Sequence, residues 1–298
     1  MKVGSGAIVA LFWCLAANAD EGSVKVTQLL SAHTDVLGHP VKLSADDPLF
    51  SGKILELPPS FVTALHFHPE PMMAYVLEGE LEVKYNGERK IRYRKGDMFI
   101  EAINTLHRGK ALMPSGARLL ILNITEEQDA NSVSVNTAVD IPEESIADVL
   151  SAALAFRLKL SEAIARSNFH LGAAVQEPDL EVFVLEGFLG RAAQAGLSRD
   201  MSEAFMLGQI EASKTLQETY LARAKAEGLP KRSVSVASDL MARRKQLDQL
   251  DAALINLLLA VGTQPLSDKQ VRVLSHVPLE LEGHENAWKI AVAPFIER

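Results

Sequence analysis

The period of the apolar residues changes once along this chain, and that change limits the possible folds more than any other feature. From Val24 to about Val135 the apolar residues come in short alternating or β-branched runs: "VKVTQLL", "FVTALHF", "AYVLEGELEVKY", "KIRYRKGDMFIEAI" and "ARLLILNIT". Alternation with a period of two puts one face of a strand in a core and the other in water. Many short strands joined by tight turns close into a barrel or pack as a sandwich. Asn86-Gly87, between "LEVKY" and "RKIRY", predicts a hairpin of the type I′ kind. From Pro142 the period lengthens, and "EESIADVLSAALAFRLKLSEAIARSNF" repeats its apolar residues at helical spacing. A second helix opens at "EPDLEVF" with Pro178 in its first turn, and a third at "SRDMSEAF", capped by Ser198 or Asp200 with Glu203 close behind. "ASDLMARRKQLDQLDAALINLLLAVG" is a further long amphipathic run that ends at Gly262. The expectation is a multidomain β + α chain with its boundary near 136–142, and no internal repeat.

The first twenty residues, "MKVGSGAIVALFWCLAANAD", form a separate unit. One lysine, an apolar run and Ala17-Asn18-Ala19 before Asp20 have the layout of a cleavable secretory signal over residues 1–19. The apolar run is short for a bilayer span, so no membrane association is expected once the signal is removed. Cys14 is the only cysteine and lies inside this segment, preceded by Trp13 rather than the small residue that lipid attachment favours. The mature chain therefore has no disulfide and no thiolate chemistry. With Lys2 removed, 29 basic side chains face 38 acidic ones, a net charge of −9. That balance, without any basic tract, excludes nucleic acid as a partner. The location expected is periplasmic or secreted.

Within the β half, "HFHPEPMMAYVLEGELEV" places His66 and His68 one residue apart, so on a strand both project from one face, ahead of a turn read at Glu78-Gly79. About forty residues on, "GDMFIEAINTLHRG" supplies Gly96 for a turn and then His107. These two stretches resemble the motifs of the cupin fold, and of small exported cupins in particular, over most of residues 20–138. The resemblance implies a double-stranded β-helix barrel with His66, His68 and His107 turned inward on one divalent transition metal. Three neutral imidazoles form a facial ligand set with open positions, which suits iron, manganese, nickel, copper or zinc. Cupins usually place a glutamate seven residues before the glycine that is Gly79 here, and this chain has Met72. Glu70 would have to reach around Pro71, so three protein ligands plus water are expected. The alternative is a barrel whose histidines are hydrogen-bonded core residues without a metal. His33, His39, His170, His276 and His284 lack any such spacing and read as surface or packing residues.

In the helical half, Arg157 and Asn168 are eleven residues apart, about three helical turns, and share a face. Ser213 and Gln217 share a face by i, i+4 spacing. "AFRLKLSEAIA", "LGQIEASKTLQETYLARA", "RKQLDQLDAALINLLLA" and the closing "AWKIAVAPF" resemble the exported class of all-helical chorismate mutases over residues 143–298. Members of that class are often dimers, which makes a homodimer the expected assembly. Their reaction is a unimolecular rearrangement of chorismate to prephenate and needs no nucleophile. The enzyme holds a small dicarboxylate in its compact shape and stabilises charge on the ether oxygen. By resemblance, Arg157 and Arg244 grip the two carboxylates through guanidinium forks. Gln217 donates to the ether oxygen, Ser213 contacts a carboxylate or hydroxyl, and Lys214 adds charge.

Two positions depart from that pattern. The family lysine eleven residues after its first arginine is Asn168 here, and a further arginine expected in the second helix falls near Leu180. Asn168 donates a hydrogen bond but no positive charge, and losing one such donor typically costs about 10²–10³ in rate. Arg166 is a candidate substitute, although helical geometry directs it about 160° away. The expected function is chorismate isomerisation in the helical half, with an attached metal-binding barrel. Two alternatives stand beside it: a degenerate pocket that binds a carboxylate without turnover, and a metal-dependent dioxygenase or isomerase housed in the barrel.

Overall fold

The structure, a computed structural model, describes residues 26–43, 48–125, 131–135, 145–172, 178–228, 236–262 and 266–297. The secretory signal expected at 1–19 lies outside them. Eight strands come first: β1 (Leu49–Leu57), β2 (His66–Phe67), β3 (Met72–Tyr85), β4 (Arg89–Arg94), β5 (Met98–Ile100), β6 (His107–Ala111), β7 (Ala117–Thr125) and β8 (Val133–Ser134). Six α-helices follow: α1 (Ile146–Leu171), α2 (Pro178–Ala195), α3 (Arg199–Ala226), α4 (Val236–Val261), α5 (Asp268–Ser275) and α6 (Glu285–Ile296). The change of apolar period thus separates an antiparallel sheet from a bundle, as the sequence predicts.

Strand β3 organises the sheet. Its first half pairs with β5 and β7, its second half with β4 and β6, all antiparallel, and the register shifts between Val76 and Glu78. The Glu78-Gly79 pair is therefore a bend inside one 14-residue strand and not the turn expected from the sequence. An extra residue on one side of a ladder increases twist and lets a strand pass from one sheet of a barrel to the other. Gly79 sits there with φ +76°, and a Cβ on it would lie 1.9 Å from the Gly116 carbonyl oxygen, so only glycine fits. The hairpin at Asn86-Gly87 matches its expectation. Both residues have positive φ, 48° and 75°, and the Tyr85 carbonyl accepts the Glu88 N–H at 3.0 Å. Leu57, Ala74, Val76, Leu81, Val83, Phe99, Leu119 and Ile121 fill the sheet's interior.

The helices begin where their capping residues permit. Ser145 and Asp148 form a reciprocal capping box at α1, and Ser198, one of the two residues expected there, caps α3. Helix α4 ends at Val261, and Gly262 follows with φ +71°. The bundle's core is not its own. Leu65, Phe67, Leu106, Val133 and Val135 from the β half join Val149, Leu150, Leu154, Leu254, Leu258 and Trp288 from the helices in one continuous apolar cluster. Burying each such side chain contributes roughly 1.5–3 kcal/mol. At the same seam, Asn256 of α4 donates to the carbonyls of Ile103 and Asn104 at 3.3 and 2.9 Å.

Candidate functional site

Two clusters of polar side chains lie inside this framework. The first is in the β half, where His66 pairs in register with His107 across β2 and β6, and His68 forms an isolated bridge with Ile103. Each imidazole is anchored through Nδ1 to a main-chain carbonyl: His66 to Ala64 at 2.8 Å, His107 to Thr105 at 2.7 Å, and His68 to Asn131. An Nδ1–H donated to a carbonyl fixes the tautomer and leaves Nε2 with a free lone pair. One potential ligand atom from each ring lies within 4.8 Å of the others. His68 and His107 are buried and His66 is nearly so. Burial holds all three below the usual histidine range, His107 well below it and His68 at about 3, so the rings are neutral at physiological pH. Three convergent, unprotonated nitrogens with anchored second nitrogens fit a divalent metal, and hydrogen-bonded core packing alone would not require their convergence.

One residue at this centre escaped the sequence reading. Glu101 is buried, its Oε1 accepts from the Tyr85 hydroxyl at 2.7 Å and the Ala102 N–H at 2.8 Å, and its Oε2 lies 3.8 Å from His107 Nε2. Burial pushes its carboxyl up to about 7. The available signal was a lone acid in the apolar stretch "MFIEAI". Glu70, considered for the missing carboxylate, is not in the cluster. It lines a cleft between the halves with Asn131, Lys245 and Gln249.

The second cluster is in the bundle. A cavity of about 390 Å³ between α1, α2, α3 and α4 is lined by Arg157, Asn168, Ser213, Lys214, Gln217 and Arg244, all six residues singled out in the helical sequence. Ile164, Leu180, Phe183, Val184, Ile210 and Leu247 give it apolar walls. Arg157 is buried, and its fork is already occupied: Nε donates to Asp251 Oδ1 at 2.7 Å and Nη2 to Oδ2 at 3.2 Å. Only Nη1 remains for the cavity, near Ser213 Oγ at 3.4 Å and the Gln209 carbonyl at 3.5 Å. The bidentate grip expected of Arg157 on a ligand is instead a grip on Asp251, 94 residues away in sequence.

The other cations differ from Arg157 in depth. Lys214 reaches Glu181 at 3.3 Å and Glu211 at 3.7 Å. Arg244 is exposed at the cavity mouth and forms no ion pair among the described residues. Asn168 is buried with Oδ1 unpartnered. Arg166, the candidate substitute, is not on this wall; it pairs with Glu162 at 3.5 Å on another face of α1. Arg191 of α2 was not foreseen. It follows Leu180 by eleven residues, three turns, so α2 brings a guanidinium to the same face from farther along the helix. Arg191 Nη2 contacts the exposed Asp248 at 2.9 Å, and its Nε is buried without a partner. Four cations therefore share the cavity with the carboxylates of Glu181, Asp248 and Asp251.

A curled antiparallel sheet with a metal-compatible histidine trio, joined to a bundle with a cation-lined cavity, defines a cupin-like barrel fused to a helical domain with an internal pocket. The Cupin domain family matches residues 53–123. The chain is 34% identical over 133 residues to the monofunctional chorismate mutase of Enterobacter agglomerans, covering 43% of this chain and 70% of that protein. It is 28% identical over 104 residues to the secreted chorismate mutase of Mycolicibacterium smegmatis, spanning 35% of this chain and 56% of that relative's length. Among solved structures, the chorismate mutase of Burkholderia thailandensis aligns with 49% of this chain and 96% of its own at 22% identity, with a TM-score of 0.42. The chain belongs to the chorismate mutase family and carries a cupin domain in addition.

Proposed function

We propose that the helical cavity binds chorismate and isomerises it to prephenate in an exported protein, with the units dividing at 20–138 and 143–298. The observation that supports this reading is the convergence of Arg157, Asn168, Ser213, Lys214, Gln217 and Arg244 on one cavity. Magnitudes divide the work among its cations. Exposed ion pairs are worth about 0.2–1 kcal/mol, so the carboxylates of a ligand readily replace the exposed Asp248 at Arg191 and, with more competition, the half-buried Glu181 at Lys214. Breaking a buried pair costs about 3–5 kcal/mol, so Arg157 stays on Asp251. The ligand's two carboxylates then meet Arg244 and Arg191, and Arg157 acts through Nη1 and its field. Gln217 donates to the ether oxygen as charge develops there, with Lys214 nearby and Asn168 supplying a neutral contact. The apolar walls exclude water and favour the compact conformer.

In the barrel, His66, His68 and His107 hold a divalent transition metal. Such an ion supplies Lewis-acid chemistry when bound. The histidines' contribution is a preset donor face fixed by main-chain carbonyls. The isomerisation does not involve this centre. No helix among the described residues is long and apolar enough to cross a membrane. The relative from Mycolicibacterium smegmatis is a secreted protein, which accords with export.

A second reading follows from the carboxylates in the same cavity. Glu181, Asp248 and Asp251 offset most of its positive charge, and Asn168 lacks the family's cation, a composition that favours binding without turnover. Loss of chorismate absorbance with the purified protein tests the first reading, alongside an active control enzyme. Turnover above background that falls with Arg244→Ala supports isomerisation. Calorimetric binding of chorismate and prephenate without turnover establishes the second reading.

A further inference from the structure

We propose that Glu101 is the fourth protein ligand of the histidine centre, supplying from a neighbouring strand the carboxylate that Met72 lacks. The inference rests on the histidine trio being a metal site. Met72 and Glu101 are backbone neighbours: the Glu101 N–H donates to the Met72 carbonyl at 2.9 Å, one step from the Met73–Ile100 pair of β3 and β5. The carboxylate absent at Met72 on β3 is thus offered by the residue that immediately follows β5, the strand beside it.

Glu101 stands just outside the trio whose donor atoms lie within 4.8 Å of one another, and its carboxylate approaches that trio from the His107 side. Tyr85 and the Ala102 N–H hold Oε1 at 2.7 and 2.8 Å, which orients the carboxylate and leaves Oε2 3.8 Å from His107 Nε2. Ligating carboxylates are commonly anchored in this way through the oxygen that does not bind the ion. A buried carboxylate also needs a countercharge. Among the described residues Glu101 has no lysine or arginine partner, only a neutral phenol, a main-chain N–H and a histidine ring. A divalent ion on the three Nε2 atoms supplies the missing positive charge. Three nitrogens and one oxygen suit a first-row divalent ion such as cobalt(II), manganese(II), iron(II) or zinc(II), and disfavour copper(I).

The test uses the full chain, stripped of metal and titrated with cobalt(II), read by calorimetry and by the visible ligand-field spectrum. Glu101→Gln keeps both contacts to Oε1 and removes the charge. It is expected to melt like the wild type without metal, to bind cobalt(II) about 10²-fold more weakly, and to shift the ligand-field bands. Tyr85→Phe, which removes one of the two contacts that hold Oε1, is expected to weaken binding about tenfold. Glu101→Asp, one methylene shorter, provides the same comparison should the glutamine variant fail to fold, with weaker binding and displaced bands expected. Wild-type affinity and bands in a folded Glu101 variant, beside loss of binding in His107→Ala, overturn Glu101 as ligand and leave a three-histidine centre. Absence of cobalt(II) binding by the wild type overturns both the ligand and the centre.

Discussion

In the barrel, all three imidazoles are held through Nδ1 by main-chain carbonyls, whereas in the bundle three of four cations are held by carboxylate side chains. The anchoring carbonyls of Ala64, Thr105 and Asn131 lie two residues before β2, β6 and β8, so the histidine face moves only with the backbone that leads into those strands. Side-chain anchors that solvent reaches, exposed at Arg191 and half-buried at Lys214, exchange at less cost, so the carboxylates of the proposed ligand would compete for them. The arrangement of the anchors suits the ligand proposed for each site: a small ion of fixed coordination in one, a flexible dianion in the other. Asp251 is the exception in the bundle, a side-chain anchor buried deeply enough to behave like a main-chain one.

The largest test of that contrast is Asp251→Ala, which leaves the Arg157 guanidinium buried and uncompensated. It should destabilise the protein by about 3–5 kcal/mol in urea denaturation. A loss under 1 kcal/mol would place this pair with the exchangeable ones at the rim. Arg244→Ala, at an exposed position, should lower kcat/KM for chorismate about 10²-fold, or about 2.7 kcal/mol, with little change in melting temperature. An unchanged kcat/KM would remove Arg244 from the site. Asn168→Lys restores the cation that the family carries, and steady-state kinetics should show kcat raised at least about tenfold. A flat or lowered kcat would mean that the cavity has adapted to a neutral group there.

Smaller effects probe the barrel. Asp35 accepts the N–H groups of Leu37, His39 and Ile103, and the last of these ties it to the segment leading to His107. Burial raises its pKa, but the hydrogen bonds from His39 and the main chain outweigh burial and hold it below the usual 3.8. A carboxyl depressed in the folded state stabilises above its unfolded value and loses that contribution as pH falls through the folded one. Melting temperature followed from pH 7 to pH 3 should therefore drop less for Asp35→Asn than for the wild type, from a lower starting point. Removing bound metal with a chelator should have the smallest effect of all on chorismate turnover, leaving kcat within about twofold, because neither the donors nor the reaction uses the ion. A tenfold loss would couple the two sites.

Local signals carried much of this into the sequence. The Asn86-Gly87 turn, the Ser198 cap and the Pro178 helix start each depend on one or two adjacent residues, and each was legible. The six cavity residues were legible because helical spacing and the family resemblance both indicate a shared face. Gly79 was misread because a glycine between strand-like runs looks the same whether the chain turns or bends; the difference is the Gly116 carbonyl approaching from a distant segment. Asp251 could not be assigned, since its partner lies 94 residues away and only tertiary packing joins them. Arg191 was legible in principle, eleven residues beyond Leu180 on one helical face. Glu101 was not legible because only the tertiary approach of its carboxylate to His107 sets it apart from other acids in strand-like sequence.

The apolar seam bears on how such a chain can be inherited. Phe67, Leu106 and Val133 of the β half and Leu254, Leu258 and Trp288 of the helices complete a single interior, and Asn256 fastens the edge of it. A helical half excised as a free-standing unit would carry a bare greasy flank and a severed amide clasp. Recombination that passes this half to a new partner must therefore take the barrel along, or repaint that flank with polar side chains first.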